Sequence, residues 1–230
     1  MDRSASDWAA ESAFARALRG PAQALASLSP CAACAAAPAT ATGLCPVCLA
    51  RPWPARRDGD VLVLGAYAGA LGALVRAGKF DGALRLFDVL GAALGRGLAR
   101  EAAADQRVAA AYLVPIPSHR RRRAQRGPDP SERLARAAAR AAGGRTVVAA
   151  LERVCWKPPQ STRAAAARER NVAGAFAVEK GWTSALRGRG VVLVDDVLTS
   201  GATARSAKAA LTGAGATVVM LMVVAGPAGR

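Results

Sequence analysis

The stretch Val191–Ala207, VVLVDDVLTSGATARSA, decides the fold. Its apolar start predicts a buried strand, two carboxylates stand where that strand ends, and a turn of small residues leads into a helix. A second apolar strand, TVVMLMVVA, begins at Thr217. Strand, helix and strand in this order predict a β–α–β unit, and therefore a parallel sheet with a right-handed crossover.

The turn between this strand and this helix has the composition of a phosphate-binding loop. Thr199, Ser200, Gly201, Ala202 and Thr203 offer hydroxyls and consecutive backbone N–H groups at a helix N-terminus. A glycine in the turn lets the backbone approach a ligand closely. The loop therefore predicts an anion site.

The acidic pair Asp195–Asp196 precedes this loop, and its chemistry indicates binding to a different part of the ligand. Carboxylates repel phosphate but suit hydroxyl groups or a hydrated divalent cation. In open parallel sheets, ligands bind at the carboxyl ends of the strands. Pair and loop together predict a site for a sugar that carries a phosphate. The alternative is that the pair merely caps the helix and the turn is ordinary.

The whole segment resembles the phosphoribosyl-pyrophosphate (PRPP) motif of type I phosphoribosyltransferases, in which four apolar residues and two acids precede a T-[ST]-G-A-T loop. The resemblance implies that Asp195 and Asp196 are the catalytic pair that holds the ribose hydroxyls. It implies that residues 199–203 hold the 5′-phosphate and that Mg²⁺ accompanies PRPP. The implied fold is α/β, with a central, mostly parallel sheet flanked by helices.

A basic segment, VPIPSHRRRRAQRG at Val114–Gly127, is the second candidate. Its five arginines stand beside a proline-stiffened turn, and guanidinium groups can grip a diphosphate through paired hydrogen bonds. In type I phosphoribosyltransferases the corresponding strand end is the pyrophosphate loop. The resemblance therefore implies pyrophosphate binding by Ser118, His119, Arg120 and Arg126. The alternative is a solvated basic run or a patch that binds DNA phosphates.

Four cysteines, Cys31, Cys34, Cys45 and Cys48, form two C-x-x-C pairs separated by ten residues. Two such pairs can close a tetrahedral Cys₄ site, the usual arrangement of structural zinc. This spacing predicts a small zinc-ribbon-like module. The alternatives are redox-active pairs or two disulfides; a thioredoxin-like pair would need a strand–helix setting that the flanking sequence does not offer.

Composition limits the classes of partner. The 230 residues are 52% apolar and 21% charged, so the chain is expected to fold. Aromatic residues are only 4%, which argues against a single-strand nucleic-acid platform built on base stacking. The net charge is +16, and the segment from Ser118 to Arg170 holds 14 basic residues against 4 acidic ones. Polyanions or phosphorylated small molecules are the expected ligands.

Cysteine quartet, basic loop and acidic-pair motif follow one another as in the ComF family of competence-associated, phosphoribosyltransferase-like proteins, which the chain resembles from Cys31 onward. Further motifs carry the resemblance: Lys79-Phe80, Gln160, Glu169-Arg170-Asn171-Val172 and Gly174-Ala175-Phe176. One stretch departs from the family. Where the family continues R-G-F-N-Q, this chain has Arg126-Gly127-Pro128-Asp129-Pro130.

The resemblance implies a PRPP-binding protein that transfers the phosphoribosyl group to an unidentified acceptor and releases pyrophosphate. It links the chain to DNA uptake in natural transformation, with single-stranded DNA and the competence machinery as partners at the inner face of the membrane. Two alternatives stay open. One is a competence protein that binds single-stranded DNA through its charge, and the other is a regulator that senses PRPP without turnover.

We expect an N-terminal helical segment at 1–29, the Cys₄ zinc module at 30–60 and a phosphoribosyltransferase-like domain at 61–230. Apolar runs are too short for a membrane span, and the N-terminus lacks the features of a secretion signal, which favours the cytoplasm. The polar, basic excursion 157–170 is a candidate lid over PRPP. Two helices are expected between residues 69 and 99, and Ser131 is expected to cap a helix over 131–142.

Overall fold

The computed structural model describes residues 29–118, 129–154 and 174–227. The chain divides into two compact units between Arg51 and Pro52. We call the described residues 29–51 the Cys module and the described residues from Pro52 onward the sheet domain. The expected N-terminal helix, the arginine run with His119 and the proposed lid lie outside the described residues.

One short helix belongs to the Cys module, and the remaining elements belong to the sheet domain. In chain order they are α1 (Pro46–Ala50), β1 (Arg56–Asp58), β2 (Val61–Ala66), α2 (Gly69–Phe80), α3 (Leu86–Ala104), α4 (Gln106–Ala109), β3 (Tyr112–Pro115), α5 (Pro130–Ala141), β4 (Leu151–Arg153), β5 (Phe176–Val178), a 3₁₀ turn (Lys180–Trp182), α6 (Thr183–Leu186), β6 (Gly190–Val197), α7 (Ala202–Gly213) and β7 (Thr217–Gly226).

The main sheet has five strands in the order β1-β2-β7-β6-β3. Only the β1–β2 pair is antiparallel among these strands; the other three pairings are parallel. Val191 to Val194 of β6 are all buried, as expected for a central parallel strand covered on both faces. The predicted α/β class, with a mostly parallel sheet flanked by helices, is confirmed.

Alternate residues of β6 face two different layers of helices. Val191 and Leu193 pack in one apolar cluster with Leu211 of α7 and Phe176 of β5. The antiparallel pair β4–β5 therefore lies on the α7 side of the sheet. Because β6 is anchored by both layers, the carboxylates that follow its apolar residues have a fixed position.

Helices α3 and α5 pack unusually closely through small residues. A Cβ atom at Gly95 would lie 2.4 Å from the Ala138 carbonyl oxygen, and one at Gly91 would lie 2.7 Å from the Leu134 carbonyl oxygen. Neither carbonyl can move without its helix. The glycines therefore set the distance between α3 and α5.

Gly95→Ala is expected to destabilise the chain by about 1–3 kcal/mol, because the methyl group forces α3 and α5 apart. Urea unfolding measures this change. Gly213→Ala is the matched control, since a Cβ there meets nothing within 4 Å. At that position alanine should be neutral or stabilise the helix by up to about 1 kcal/mol. Equal effects at the two sites would contradict the packing argument.

Most predicted elements occur close to their expected places. The β6–α7–β7 unit is present and its strands are parallel, as predicted. The break between the two helices lies at residues 81–85, and the second helix extends to Ala104. Ser131 does not cap α5; the N-cap is Asp129, whose carboxylate accepts a hydrogen bond from the Ser131 N–H. Pro130 lacks an N–H and takes the first helical position, which moves the cap back by two residues.

Within the described ranges, no helix has both the length and the apolar character needed to cross a membrane.

Candidate functional site

A cleft of about 650 Å³ opens at the carboxyl ends of β3 and β6. Parts of the sheet domain that are far apart in the sequence meet there. Its lining includes Tyr67, Lys79, Phe80, Ser118, Asp129, Arg153, Asp195, Asp196, Thr199 and Thr203. The acidic pair, two residues of the predicted phosphate loop and the end of β3 therefore line one cleft.

The acidic pair is held by two kinds of contact. The Oδ1 atom of Asp195 accepts a hydrogen bond from the Asp196 backbone N–H at 2.8 Å. The Oδ1 atom of Asp196 lies 2.8 Å from the ammonium group of Lys79, which comes from the last turn of α2. A carboxylate has two oxygen atoms, so these contacts leave further acceptor positions for ligand hydroxyls.

Desolvation raises the pKa of Asp195 to about 8, and the neighbouring charge of Asp196 acts in the same direction. The hydrogen bond from the Asp196 N–H and the positive charge of Lys79 oppose this rise but do not cancel it. Asp195 keeps some contact with solvent in the cleft while protein surrounds it elsewhere. At neutral pH the two neighbouring carboxyl groups therefore share less than two negative charges.

The raised pKa of Asp195 predicts the direction in which the stability of the chain changes with pH. Asp195 contributes fully to stability below its unfolded pKa near 3.8, and that contribution is lost as pH rises through the folded pKa of about 8. We expect the gain in melting temperature caused by Asp195→Asn, which cannot ionise, to be several degrees larger at pH 8 than at pH 5.

Calorimetric melting at both pH values measures this gain. Asp58→Asn, at an exposed position on β1, is the control and should show a difference that is independent of pH. If the difference in melting temperature between Asp195→Asn and the unmodified chain is also independent of pH, the Asp195 carboxyl group is ionised in the folded chain.

The predicted phosphate loop contains a left-handed residue at its centre. Gly201 has φ +76° and is the N-cap of α7, a conformation that favours glycine. The Ser200 hydroxyl oxygen accepts a hydrogen bond from the Ala202 N–H at 3.5 Å, and Arg205 donates to the Ser200 carbonyl at 2.9 Å. Thr199 and Ser200 are exposed. The loop therefore presents its hydroxyls to solvent in front of the first N–H groups of a helix.

The end of β3 is tied to the start of α5 by one buried carboxylate. Asp129 is 5% exposed, and its Oδ2 atom accepts from both the N–H and the hydroxyl of Ser118, each at 2.7 Å. Its Oδ1 atom accepts from the Ser131 N–H at 3.2 Å. Ser118, which was predicted to bind pyrophosphate, thus lines the cleft, and both its N–H and its hydroxyl donate to Asp129. His119, Arg120 and Arg126 lie outside the described residues.

Of the ten lining residues named above, five were not among the predicted site residues: Tyr67, Lys79, Phe80, Asp129 and Arg153. Lys79 and Phe80 stood out in the sequence only as motif residues, and Asp129 only as part of a departure from the family pattern. Phe80 is 63% exposed and Tyr67 is 42% exposed, so the cleft has an aromatic edge. Arg153 lies over the Phe176 ring at 5.4 Å. No sequence signal distinguishes Arg153 from other basic residues.

The Cys module brings its four cysteines together. The sulfur atoms of Cys31, Cys34, Cys45 and Cys48 all lie within 4.8 Å of one another, and those of Cys34 and Cys45 are 3.9 Å apart. Zinc–sulfur bonds of about 2.3 Å in a tetrahedron place sulfur atoms about 3.8 Å apart. The group can hold a metal ion, and its chemistry and spacing fit structural zinc.

The pKa values of these thiols point the same way. Desolvation acts to raise the pKa of Cys31, but backbone N–H groups, that of Cys45 first, outweigh it and lower the value to about 6. Desolvation and hydrogen bonds to the other three sulfur atoms raise the pKa of Cys48 to about 12. The negative charge of the Cys31 thiolate therefore opposes ionisation of Cys48. A divalent cation would offset the repulsion between neighbouring thiolates, and cysteine binds a metal in this deprotonated form.

No protein-family model matches this chain, and no curated protein matches it.

Proposed function

We propose that the sheet domain is a phosphoribosyltransferase-like domain of type I that binds PRPP with Mg²⁺. One observation carries this proposal. Asp195 and Asp196 line a single cleft with Thr199, Thr203 and the end of β3. A ligand with sugar hydroxyls between two phosphate-bearing ends matches that arrangement, since carboxylates accept from hydroxyls and helix N-termini bind phosphate.

Each element then has its own task. The N–H groups and hydroxyls of residues 199–203 hold the 5′-phosphate, and the left-handed turn at Gly201 brings the backbone close to it. Asp195 and Asp196 accept hydrogen bonds from the ribose hydroxyls and so fix the position of C1. The carboxylates can also hold water molecules of a hydrated Mg²⁺, whose contribution is to neutralise charge on the diphosphate.

The reaction proposed for this site is displacement at C1. The bond from C1 to the pyrophosphate oxygen breaks and its electron pair leaves with pyrophosphate, while a nitrogen atom of the acceptor forms the new bond to C1 with its lone pair. An acceptor nitrogen that carries a proton then releases it to water. Departure of pyrophosphate needs no general base. The protein accelerates such a step by positioning the sugar and by stabilising charge with fixed dipoles.

Calorimetric titration with PRPP and Mg²⁺ tests the proposal. The unmodified, zinc-loaded chain should bind. The double variant Asp195→Asn/Asp196→Asn should bind at least about 100-fold more weakly, because an amide oxygen is a weaker acceptor for ribose hydroxyls than a carboxylate oxygen and a neutral amide does not attract a hydrated Mg²⁺. Asp58→Asn/Asp60→Asn is a matched control, since it makes the same charge change at two exposed residues and should bind normally.

Two results would change the proposal. If neither the unmodified chain nor the variants bind PRPP, the phosphoribosyl site is wrong, and single-stranded DNA becomes the ligand to test through the salt dependence of its affinity. If PRPP binds but no acceptor amine or base releases pyrophosphate, the chain is a PRPP-sensing protein without turnover.

A further inference from the structure

Lys79 joins a helix end to the acidic pair and has no part in the function proposed above. Its ammonium group is 2.8 Å from Asp196 Oδ1. The Lys79 side chain is 30% exposed, whereas that of Asp196 is 13% exposed. The ammonium therefore keeps one side open to the cleft while it covers the carboxylate. Ion pairs with this degree of exposure contribute little to stability, so exchange of one partner is easy.

The backbone that carries Lys79 is firmly placed. At the preceding residue, Gly78, a Cβ atom would lie 2.6 Å from the ring of Phe87, which is fully buried in α3. The end of α2 is therefore pressed against α3, and the next residue along the helix lines the cleft. A long side chain on a fixed backbone can change partner without a movement of the helix.

Charge in the cleft favours such a change of partner. Of the described lining residues, three carry carboxylates, Asp129, Asp195 and Asp196, and two are cationic, Lys79 and Arg153. A ligand that ends in a diphosphate brings several more negative charges. It also needs the acidic pair for its hydroxyls, and in the free protein Lys79 covers one member of that pair. If the ammonium group moved to the diphosphate, it would neutralise part of the ligand's negative charge and would also expose the Asp196 carboxylate to the ligand's hydroxyls.

We propose that Lys79 is a ligand-binding residue that leaves Asp196 when the ligand enters and binds an anionic oxygen of the ligand's diphosphate. Asp196 Oδ1, which the ammonium group contacts in the free protein, then becomes available to a ribose hydroxyl. This proposal rests on the proposed function, because it assumes a ligand with both groups. It assigns to α2 a direct part in recognition, and it makes the Lys79–Asp196 ion pair a feature of the free protein.

Titration of three ligands, each with Mg²⁺, tests this assignment: PRPP, pyrophosphate and ribose 5-phosphate. Lys79→Met should weaken binding of PRPP and pyrophosphate by about 10–100-fold and change that of ribose 5-phosphate by less than about threefold. Lys79→Arg should restore most of the affinity. Arg76→Met, at an exposed position on the same helix, removes the same charge and should leave all three affinities nearly unchanged.

The same titrations in an Asp196→Asn background separate direct binding from positioning. If Lys79 binds the diphosphate, Lys79→Met still weakens pyrophosphate binding when Asp196 is already replaced. If Lys79 only holds Asp196 in place, its replacement has no further effect in that background, and the proposal is overturned. Loss confined to ribose 5-phosphate also overturns it. Failure of the unmodified chain to bind PRPP overturns both this proposal and the proposed function.

Discussion

Removal of zinc, or of one cysteine ligand, is expected to unfold the Cys module while the sheet domain stays folded. Among the described residues of this module, the buried apolar ones are Cys31, Ala39, Leu44 and Cys45, and two of these are ligands themselves. Such a core is too small to hold a fold without a metal or a cross-link. A structural zinc ion supplies about 10–16 kcal/mol of apparent binding free energy, which is more than this module can lose.

Hydrogen exchange and metal analysis of the full chain measure this effect. The purified chain should carry zinc, and Cys45→Ser should lose both the metal and the amide protection of residues 29–51. Ala36→Ser introduces the same hydroxyl at an exposed position of the module and should leave both unchanged. Protection that persists after chelation under reducing conditions would show that neither a metal nor disulfides hold the module.

The part of the fold that could be predicted is the part in which local signals agree. Along β6 and α7, a continuous apolar strand, a polar strand end, a glycine in the turn and a helix-forming segment all favour one structure. The glycine is indeed left-handed, and β6 is indeed buried on both faces. Strand β4 was missed because it has only three residues, too few for an alternating pattern to be recognised.

The part of the site that could not be predicted depends on contacts between distant residues. Lys79 and Asp196 are 117 positions apart, and only the sheet and the packing of α2 on α3 bring them together. In the sequence, Lys79 stands out only as part of the Lys79-Phe80 motif, and a basic residue in the last turn of a helix is in any case favoured by the helix dipole. Local patterns therefore identified the acidic pair and the loop but not the cation beside them.

Asp129 links the start of α5 to the end of β3. The residue follows a proline and precedes another. Pro130 begins α5, and the Asp129 carboxylate reaches both Ser118 and Ser131. The single hydroxyl proton of Ser131 has two acceptors within reach, Asp129 Oδ1 at 2.7 Å and the Ile116 carbonyl at 2.5 Å. One carboxylate thus caps α5 and also holds the residue that follows the end of β3 by hydrogen bonds to Ser118.

Asp129→Ala is therefore expected to lower the free energy of unfolding by about 3 kcal/mol. Loss of a helix cap accounts for about 1 kcal/mol. The rest comes from the Ser118 N–H, which loses its acceptor in a partly buried position, at about 1–3 kcal/mol. The free energy of unfolding of Asp129→Asn should lie between those of the unmodified chain and Asp129→Ala. An amide keeps one acceptor oxygen but presents an NH₂ group to the other pair of donors.

Urea unfolding measures these changes, and Asp105→Ala is the matched control. Asp105 caps α4 by accepting from the Arg107 N–H, but it makes no link between a strand and a helix, so its loss should cost only about 1 kcal/mol. Asp129→Ala should also weaken PRPP binding, since Ser118 lines the cleft, whereas Asp105→Ala should not. Equal losses of stability in the two variants would mean that Asp129 acts as an ordinary cap.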